Sequence, residues 1–250
     1  MPIIETGASR QSSGDLFATT RWTAVIAAGM RGTPQSERAM EELCGAYWYP
    51  LYAYVRRRGH TREDAEDLTQ AFFSRLLEGR SLEGLSAQRG RFRAFLLASM
   101  KHFLANEWDR ANRLKRGGER VHLSLDWATA DTQFQIADRC AASPEALFDR
   151  EWALALLERV LEGLQNAYAA EGHGALFSTL QPLLIPEGGE GSITEAARSL
   201  GMEEGAIRVA LHRLRKRYRK LLREEIVQTL ENPAEVEEEM RTLFQAFAAG

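Results

Sequence analysis

The sequence has only two cysteines, Cys44 and Cys140, and neither lies in a CxxC or CxxH spacing. This scarcity argues against a disulfide scaffold and predicts two buried thiols in a reducing compartment. No apolar run approaches the roughly 20 residues of a membrane span. The first stretch, MPIIETGASRQSSGD, lacks the basic and apolar segments of a signal peptide. We therefore expect a cytoplasmic protein.

The sequence also lacks the motifs of common catalytic sites. Its five histidines never fall in an HExxH spacing, and it contains no GxSxG or Walker sequence. Neither cysteine lies in a nucleophile motif. We therefore predict no enzyme, no metal site and no cofactor.

What the sequence does have is segregated charge beneath a formal net charge of only −3. The segment from Arg89 to Arg116 contains eight basic residues and only two acidic ones. A second block, from Gly205 to Arg223, holds eight Arg and Lys and no acid. Acids alone then follow from Glu224 to Glu239. Such segregation points to binding partners rather than to a uniformly solvated surface.

Apolar residues recur at three- and four-residue spacing, and no stretch alternates over strand length, which predicts an all-α fold. Thr33, Thr61 and Asn232 are predicted N-caps. The predicted helices lie near 20–28, 34–46, 49–58, 62–78, 91–115, 145–170, 174–184, 193–200, 203–228 and 233–247. The periodicity lapses between Gly117 and Pro144, where a Gly pair, Ser and Pro predict a flexible linker between two helical domains.

The second basic block follows a helix-turn-helix pattern. Ile193, Ala196, Ala197 and Leu200 form one short apolar face, and Ile207, Leu211, Leu214, Tyr218 and Leu221 form the next. Gly201, between them, supplies the positive φ that a tight turn needs. The second helix of such a motif is the one that enters a major groove.

The residues left on the outer face of this second helix are mostly cationic. They include Arg208, His212, Arg213, Arg215, Lys216, Arg219, Lys220 and Arg223. Such a face suits duplex phosphates, because counterion release supplies most non-specific affinity for DNA. The alternative is a solvated basic face, but that usually has Glu interspersed at four-residue spacing. We therefore predict DNA contact.

An acidic helix follows Thr61. Its predicted buried stripe contains Ala65, Leu68, Phe72, Phe73, Leu76 and Leu77. Glu63, Asp64, Glu66, Asp67 and Gln70 lie opposite. The helix dipole alone could account for two or three of these acids. A catalytic or Mg²⁺-binding carboxylate pair is disfavoured, since the first turns of one helix point outward rather than into a cleft.

A second basic helix is predicted over 91–115. Its predicted core stripe contains Phe92, Phe95, Leu96, Met100, Phe103 and Leu104. Lys101, His102, Asn106, Arg110 and Arg113 remain outside. A pocket and a basic track can recover about 1–3 kcal/mol per captured base, enough to offset unstacking without ATP. This helix is therefore a candidate for opening DNA strands.

Three stretches together resemble a known family: DAEDLTQAFF (64–73), then RFRAFLLASMKHFLANEWDRANRLKR, then ITEAARSLGMEEGAIRVALHRLRKR. Their order and spacing are similar to those of bacterial RNA polymerase sigma factors of the extracytoplasmic-function (ECF) group. The resemblance implies a region 2 that binds core RNA polymerase and captures the minus-10 promoter element. It also implies a region 4 that contacts the minus-35 element.

The resemblance assigns roles to residues that match the family's motifs. Asp64, Glu66, Asp67 and Gln70 would contact polymerase. Lys101, His102, Asn106, Arg110, Arg113, Lys115 and Arg116 would contact the minus-10 element. Arg208, Val209, His212, Arg213, Arg215, Lys216 and Arg219 would contact the minus-35 element. His102 and Asn106 replace commoner Asn and Asp, and Val209 replaces a commoner Ser, so the promoter sequence is not inherited from the family.

The predicted domains follow from these matches. They are an N-terminal extension (1–33) with a helix that packs on region 2, a region 2-like domain (34–116), a linker (117–144), a region 4-like domain (145–228) and an acidic C-terminal helix (229–250). Expected partners are core RNA polymerase, promoter DNA, and an anti-sigma protein or another inhibitor.

The C-terminal helix suggests an inhibitor within the chain itself. Val236, Met240, Leu243 and Phe247 form its apolar stripe beside an acidic flank. One hypothesis is that this tail folds over the basic helix and masks it in the free protein; the alternative is a solvated acidic face.

A second functional hypothesis is a stand-alone helix-turn-helix repressor or activator, usually a symmetric dimer. Such a regulator has no need of the acidic helix, so that helix separates the two hypotheses.

Overall fold

The computed structural model describes residues 34–77, 91–111, 126–137, 143–184, 190–230 and 232–248. These residues form nine α-helices and two short 3-10 helices, with no strand among them, so the all-α prediction is confirmed. The α-helices are α1 (Pro34–Arg57), α2 (Arg62–Leu77), α3 (Phe92–Ala111), α4 (Trp127–Ala137), α5 (Pro144–Ala170), α6 (Gly174–Leu180), α7 (Glu190–Leu200), α8 (Glu204–Val227) and α9 (Val236–Ala248). The 3-10 helices are Gln181–Leu184 and Pro233–Glu235.

Side-chain caps fix several helix starts. The Thr61 hydroxyl accepts a hydrogen bond from the Asp64 amide at 3.2 Å, and the Asn232 side chain accepts one from the Ala234 amide at 3.1 Å. Both caps were predicted. Ser143 caps α5 in the same way, accepting from the Ala146 amide at 3.1 Å. Each cap satisfies an amide that has no partner within its own helix.

Helix α1 is continuous where the sequence predicted a break between 46 and 49. Pro50 lies inside it. A proline within a helix removes one backbone hydrogen bond and costs about 3 kcal/mol. Around it, Tyr47, Leu51 and Tyr54 are completely buried, and their burial offsets that cost. Tertiary packing therefore keeps the helix continuous at Pro50.

Helix α4 lies inside the segment predicted to be a linker. Its Trp127 ring packs edge-on against Trp48 at 5.2 Å between ring centroids. The Asp131 carboxylate accepts a hydrogen bond from the Arg56 guanidinium at 2.8 Å, and the Arg56 guanidinium also lies 4.8 Å from the Phe134 ring centre. This part of the chain is thus ordered against α1, and the domain boundaries placed around it stay a prediction.

Two groups of buried residues form the core, and α5 contributes to both. Its first half, including Leu147, Trp152 and Val160, packs with α1 to α4, the end of α8 and α9. Its second half, with Leu164 and Tyr168, packs with α6, α7 and the first turns of α8. The long helices α5 and α8 therefore connect α1 to α4 with α6 and α7.

Several other predictions fall on described residues. Cys44 is buried, as expected, and the extra helix predicted near 174–184 is present as α6 and the 3-10 turn that follows it. The predicted helix at 20–28, Thr33 and Cys140 lie outside the described residues.

Candidate nucleic-acid interface

Helices α7 and α8 are joined by a short turn at the place where the sequence predicts a helix-turn-helix, and this pair of helices keeps that name below. Gly201 has a φ of +62°, and the Met202 amide donates to the Ala197 carbonyl at 3.0 Å, which closes the turn. Ala196 and Ala197 of α7 are buried in the same cluster as Ile207 and Leu211 of α8. The small alanines let the helices approach closely, so the motif is set by its own local packing.

The outer face of α8 carries most of the residues predicted to contact the minus-35 element. Arg208, His212, Arg213, Lys216 and Arg219 are all exposed. Val209 is 51% exposed among them and offers an apolar contact near the start of the helix. Arg208 also reaches Glu204 one turn earlier at 3.5 Å. At 100° per residue these positions share one side of the helix, so the structure brings them together.

Arg215 differs from the rest of that predicted set. Its side chain is half-buried, and its Nη2 donates to the Leu183 carbonyl at 2.7 Å. Its Nε is buried without a hydrogen-bond partner. The helix periodicity puts Arg215 beside the buried face, so it attaches α8 to the 3-10 turn at Gln181–Leu184.

Arg217, which the sequence did not single out, also turns away from the exposed face. It forms a bidentate pair with Glu171, with a shorter bond of 2.8 Å, and its guanidinium lies 5.2 Å from the Tyr168 ring centre. The hydrogen bond from Arg217 lowers the pKa of the Glu171 carboxyl. Two of the basic block's arginines thus bond to other parts of the fold, although the Arg217 side chain is still 37% exposed.

Helix α3 presents the second predicted surface in part. Lys101, His102 and Asn106 are exposed, and the Lys101 amine pairs with Glu145 at 2.8 Å. This hydrogen bond raises the pKa of Lys101. Arg110 belongs to the helix, but its side chain, like Arg113, Lys115 and Arg116, lies outside the described residues.

The predicted core stripe of α3 is buried throughout: Phe92, Phe95, Leu96, Met100, Phe103 and Leu104. The sequence did not single out Trp108, which is 70% exposed on the same helix. The exposure of Trp108 could have been predicted from the apolar periodicity, because Trp108 falls outside the stripe of apolar residues that is buried. Trp108 adds a large exposed aromatic surface to the last turns of this helix.

The acidic residues lie on the exposed side of α2. Asp64 and Asp67 are exposed, whereas Glu66 and Gln70 are half-buried. The Glu66 carboxylate pairs with Arg62 at 2.8 Å. Opposite them, Ala65, Phe72, Phe73 and Leu76 are buried as predicted. The carboxylates therefore form a stripe that a cationic partner could approach from solvent.

The acidic tail, α9, contacts the basic helix at one end only. Glu237 pairs with Arg223 near the end of α8, but Glu238 and Glu239 pair with Arg91 and Arg93 around the start of α3. Val236 and Leu243 are buried as predicted, and the Phe247 side chain lies outside the described residues. The tail thus leaves the first turns of α8 uncovered.

The residues of the described part of the chain lack the features of metal binding and of membrane spanning. No group of three or more His, Cys, Asp or Glu residues there could hold a metal ion. No helix in the same segments has the length and apolar character to cross a membrane.

Comparison with known proteins gives one match. Residues 46–114 match the family model for Sigma-70 region 2, which covers α2, α3 and part of α1. No curated protein and no solved structure matches the chain. The sigma-70 family is non-enzymatic in general. This match over less than a third of the chain supports a sigma-70 family member with a role in RNA polymerase binding and promoter recognition.

Proposed function

We propose that this protein is a sigma factor of the ECF group that binds core RNA polymerase and directs it to promoters. The observation that supports this most is the combination in one chain of a segment similar to Sigma-70 region 2 with a helix-turn-helix whose outer face is cationic. A region 2-like segment accounts for polymerase docking and capture of the minus-10 element. The helix-turn-helix accounts for the minus-35 element.

Polymerase docking is assigned to the acidic side of α2. Asp64 and Asp67 are exposed there, and carboxylates in such a row can form charge-assisted hydrogen bonds with arginines of a partner helix. A stand-alone repressor would have no use for this surface. The acidic side of α2 is therefore the feature that separates the proposed function from a conventional regulator.

Contact with the minus-10 element is assigned to the exposed side of α3. His102 and Asn106 can hydrogen-bond to base edges, and Lys101 can exchange its Glu145 partner for a phosphate. Captured bases recover about 1–3 kcal/mol each when they stack on protein groups. DNA opening then needs no nucleotide hydrolysis.

The test is transcription initiation on a promoter library by core polymerase mixed with the full chain. We expect promoter-specific transcripts that core polymerase alone does not make. The double variant Asp64→Lys with Asp67→Lys should abolish polymerase binding and leave bare-DNA affinity intact or raised. A matched control is Glu158→Lys with Glu162→Lys, which makes the same charge change at two exposed positions of α5.

Equal polymerase binding by the α2 double variant and the α5 control would reject the contact assigned to α2. Selection of a specific operator by the protein alone, with no association to core polymerase, would reject the proposed function.

A further inference from the structure

A cleft lies between the 3-10 turn Gln181–Leu184, α8 and α9. Its volume is about 720 Å³, within the range of about 300–1,000 Å³ that is typical of sites for small molecules. Its apolar lining consists of Leu184, Tyr218, Leu222, Met240 and Phe244. Phe244 is 53% exposed although its side chain is large and apolar. The cleft therefore presents apolar surface that a bound ligand would remove from water.

The charged lining of the same cleft is mostly cationic. It consists of Arg215, Arg219, Lys220, Arg223 and Glu237. Glu237 pairs with Arg223, which leaves three cations without a carboxylate in the cleft itself. Arg219 forms no hydrogen bond or ion pair with any residue that the structure describes, and its side chain is exposed. The excess of positive charge fits an anionic ligand.

Helix periodicity explains why the charged and the apolar lining lie side by side. Arg215, Arg219 and Arg223 recur every four residues and form one row along α8. Tyr218 and Leu222 form the neighbouring row on the same helix. Helix α9 adds its own apolar pair to this second row across the cleft. An apolar strip therefore runs along the cleft with a row of arginines at its edge.

The dimensions of the cleft suit one aliphatic chain. Its lining on α8 extends from Arg215 to Arg223, about 12 Å at about 1.5 Å per residue. An extended chain of about ten carbons covers nearly the same length, at about 1.2 Å per bond. Two turns of an α-helix about 10–12 Å across would occupy about 1,000 Å³, more than the cleft holds. A single chain therefore reaches lining that a helix would leave empty.

We propose that this cleft binds a free single-chain amphiphile, with an aliphatic tail of about ten carbons along the apolar lining and an anionic head group at Arg219. Each methylene that is buried strengthens binding about fourfold. The head group accepts charge-assisted hydrogen bonds from the guanidinium, as carboxylates and phosphates do. Burial raises the pKa of Tyr218 to about 12, so its ring stays uncharged at neutral pH and does not repel the anion.

The test is calorimetric titration of the free full-length chain with decanoate, below the concentration at which decanoate forms micelles. We expect one bound decanoate per chain and a dissociation constant of about 0.1 mM, which is usual for a ligand of this size. Hexanoate has the same head group on a shorter tail, and decyltrimethylammonium has the same tail with a cationic head group. Each should bind at least about tenfold more weakly, because each lacks one of the two contacts.

Two variants locate the site. Phe244→Gln removes an apolar group from the cleft, and Arg219→Gln removes the proposed partner of the head group. Both positions are exposed, so both variants should fold. The matched controls lie outside the cleft: Trp108→Gln at another exposed aromatic residue, and Arg198→Gln at an exposed arginine of α7. We expect each cleft variant to weaken decanoate binding at least about fivefold and each control to stay within about twofold of wild type.

Equal decanoate binding by the cleft variants and their controls would overturn the proposal, as would equal binding of decanoate and hexanoate. Failure of decanoate to bind would also overturn it, and two further measurements would then identify another occupant. Binding of phosphatidylglycerol vesicles that Arg219→Gln weakens would assign the cleft to a membrane surface. Self-association that Phe244→Gln abolishes, measured by sedimentation, would assign it to a second copy of this chain.

The site also bears on DNA binding, because Arg219 belongs to the set assigned to the minus-35 element. This step rests on the proposed function. We expect saturating decanoate to lower the affinity of the full chain for a DNA duplex by up to about tenfold at about 0.1 M salt, as the loss of one phosphate contact does. Absence of duplex binding without decanoate would reject the DNA contact assigned to α8. Duplex binding that decanoate leaves unchanged would reject only the competition, while the calorimetric titrations decide whether the cleft binds the amphiphile.

Discussion

The arginines around the start of α3 and those on the outer face of α8 differ in their surroundings. Arg93 is buried between Glu239 and Asp149 and lies over Trp152, whereas Arg213 and Arg219 are exposed on α8. Burial lowers the pKa of Arg93, but its hydrogen bonds with Glu239 and the charge of Asp149 raise it above its ordinary value. The first set stabilises the tertiary fold; the second stays accessible to an anionic ligand.

The largest effect should come from Arg93→Met. The substitution leaves Glu239 buried with Arg91 alone, and removing one partner of a buried ion pair costs about 3 to 5 kcal/mol. Urea unfolding of the full chain would measure this loss. The double variant Arg93→Met with Glu239→Met should recover much of it, because the unpaired charge is gone. If Arg93→Met lowered the free energy of unfolding by less than about 1 kcal/mol, Arg93 would not differ in structural role from the exposed arginines of α8.

A smaller effect is expected from Arg213→Gln or Lys216→Gln on the exposed face. Each should flatten the salt dependence of DNA binding by about one ion, which is about a tenfold loss of affinity at about 0.1 M salt. The free energy of unfolding should change by less than about 0.5 kcal/mol. Binding titrations at several salt concentrations measure the slope, and an unchanged slope would remove these residues from the interface.

Arg217→Gln is the internal control for that experiment, because it changes the same charge on the same helix. Arg217 pairs with Glu171 and packs on Tyr168, so its loss should cost about 0.5 to 1 kcal/mol of stability, with the partly exposed pair contributing little. The salt slope should stay as in wild type. If Arg217→Gln reduced the salt dependence of DNA binding as much as Arg213→Gln does, Arg217 would contribute to DNA binding as well as to the fold. The side of α8 on which an arginine lies would then not decide its role.

The smallest effects should appear in the pH dependence of stability at two acids of α5. Burial is the main cause that raises the pKa of Glu151, so stability is highest below the ordinary value near 4.5 and falls as the pH rises through the folded-state value. The hydrogen bond from Lys101 lowers the pKa of Glu145, so its contribution is present above the ordinary value and is lost as the pH falls.

These two acids therefore predict changes of opposite sign. Glu151→Gln should gain stability relative to wild type as the pH rises from the ordinary glutamate pKa through the raised folded-state pKa of Glu151. Glu145→Gln should lose stability relative to wild type as the pH rises from the lowered folded-state pKa of Glu145 to the ordinary value. Unfolding curves at several pH values between about 3 and 7 would measure both. If both variants changed stability in the same direction, burial would not be the main cause that sets the pKa of Glu151.

Much of the fold could be predicted from the sequence because it is local. The caps at Thr61 and Asn232, the apolar stripes of α2 and α3, and the positive φ of Gly201 depend on residues within a few positions of one another. Such features follow from helix geometry and backbone sterics. The tight turn between α7 and α8 and the exposed cationic side of α8 were predicted for the same reason.

What the sequence did not show depends on contacts between distant residues. Helix α1 continues through Pro50 because aromatic residues bury it, and α4 is ordered by Trp48 and Arg56. A spacing of three and four in Trp127, Ala130, Phe134 and Ala137 was present but was outweighed by the linker-like composition around it. The burial of Glu239 had no local signal, since Arg93 is 146 positions away.

Sharing α5 between both core clusters has a consequence for cooperativity. Its Leu147–Val160 half completes the packing of α1 to α4, while Leu164 and Tyr168 complete that of the helix-turn-helix. A fragment that ended before residue 143 would lack the first of these halves and expose its counterpart surface on α1. The region 2-like helices and the helix-turn-helix should therefore melt in a single calorimetric transition, and loss of either one would propagate along α5 to the other.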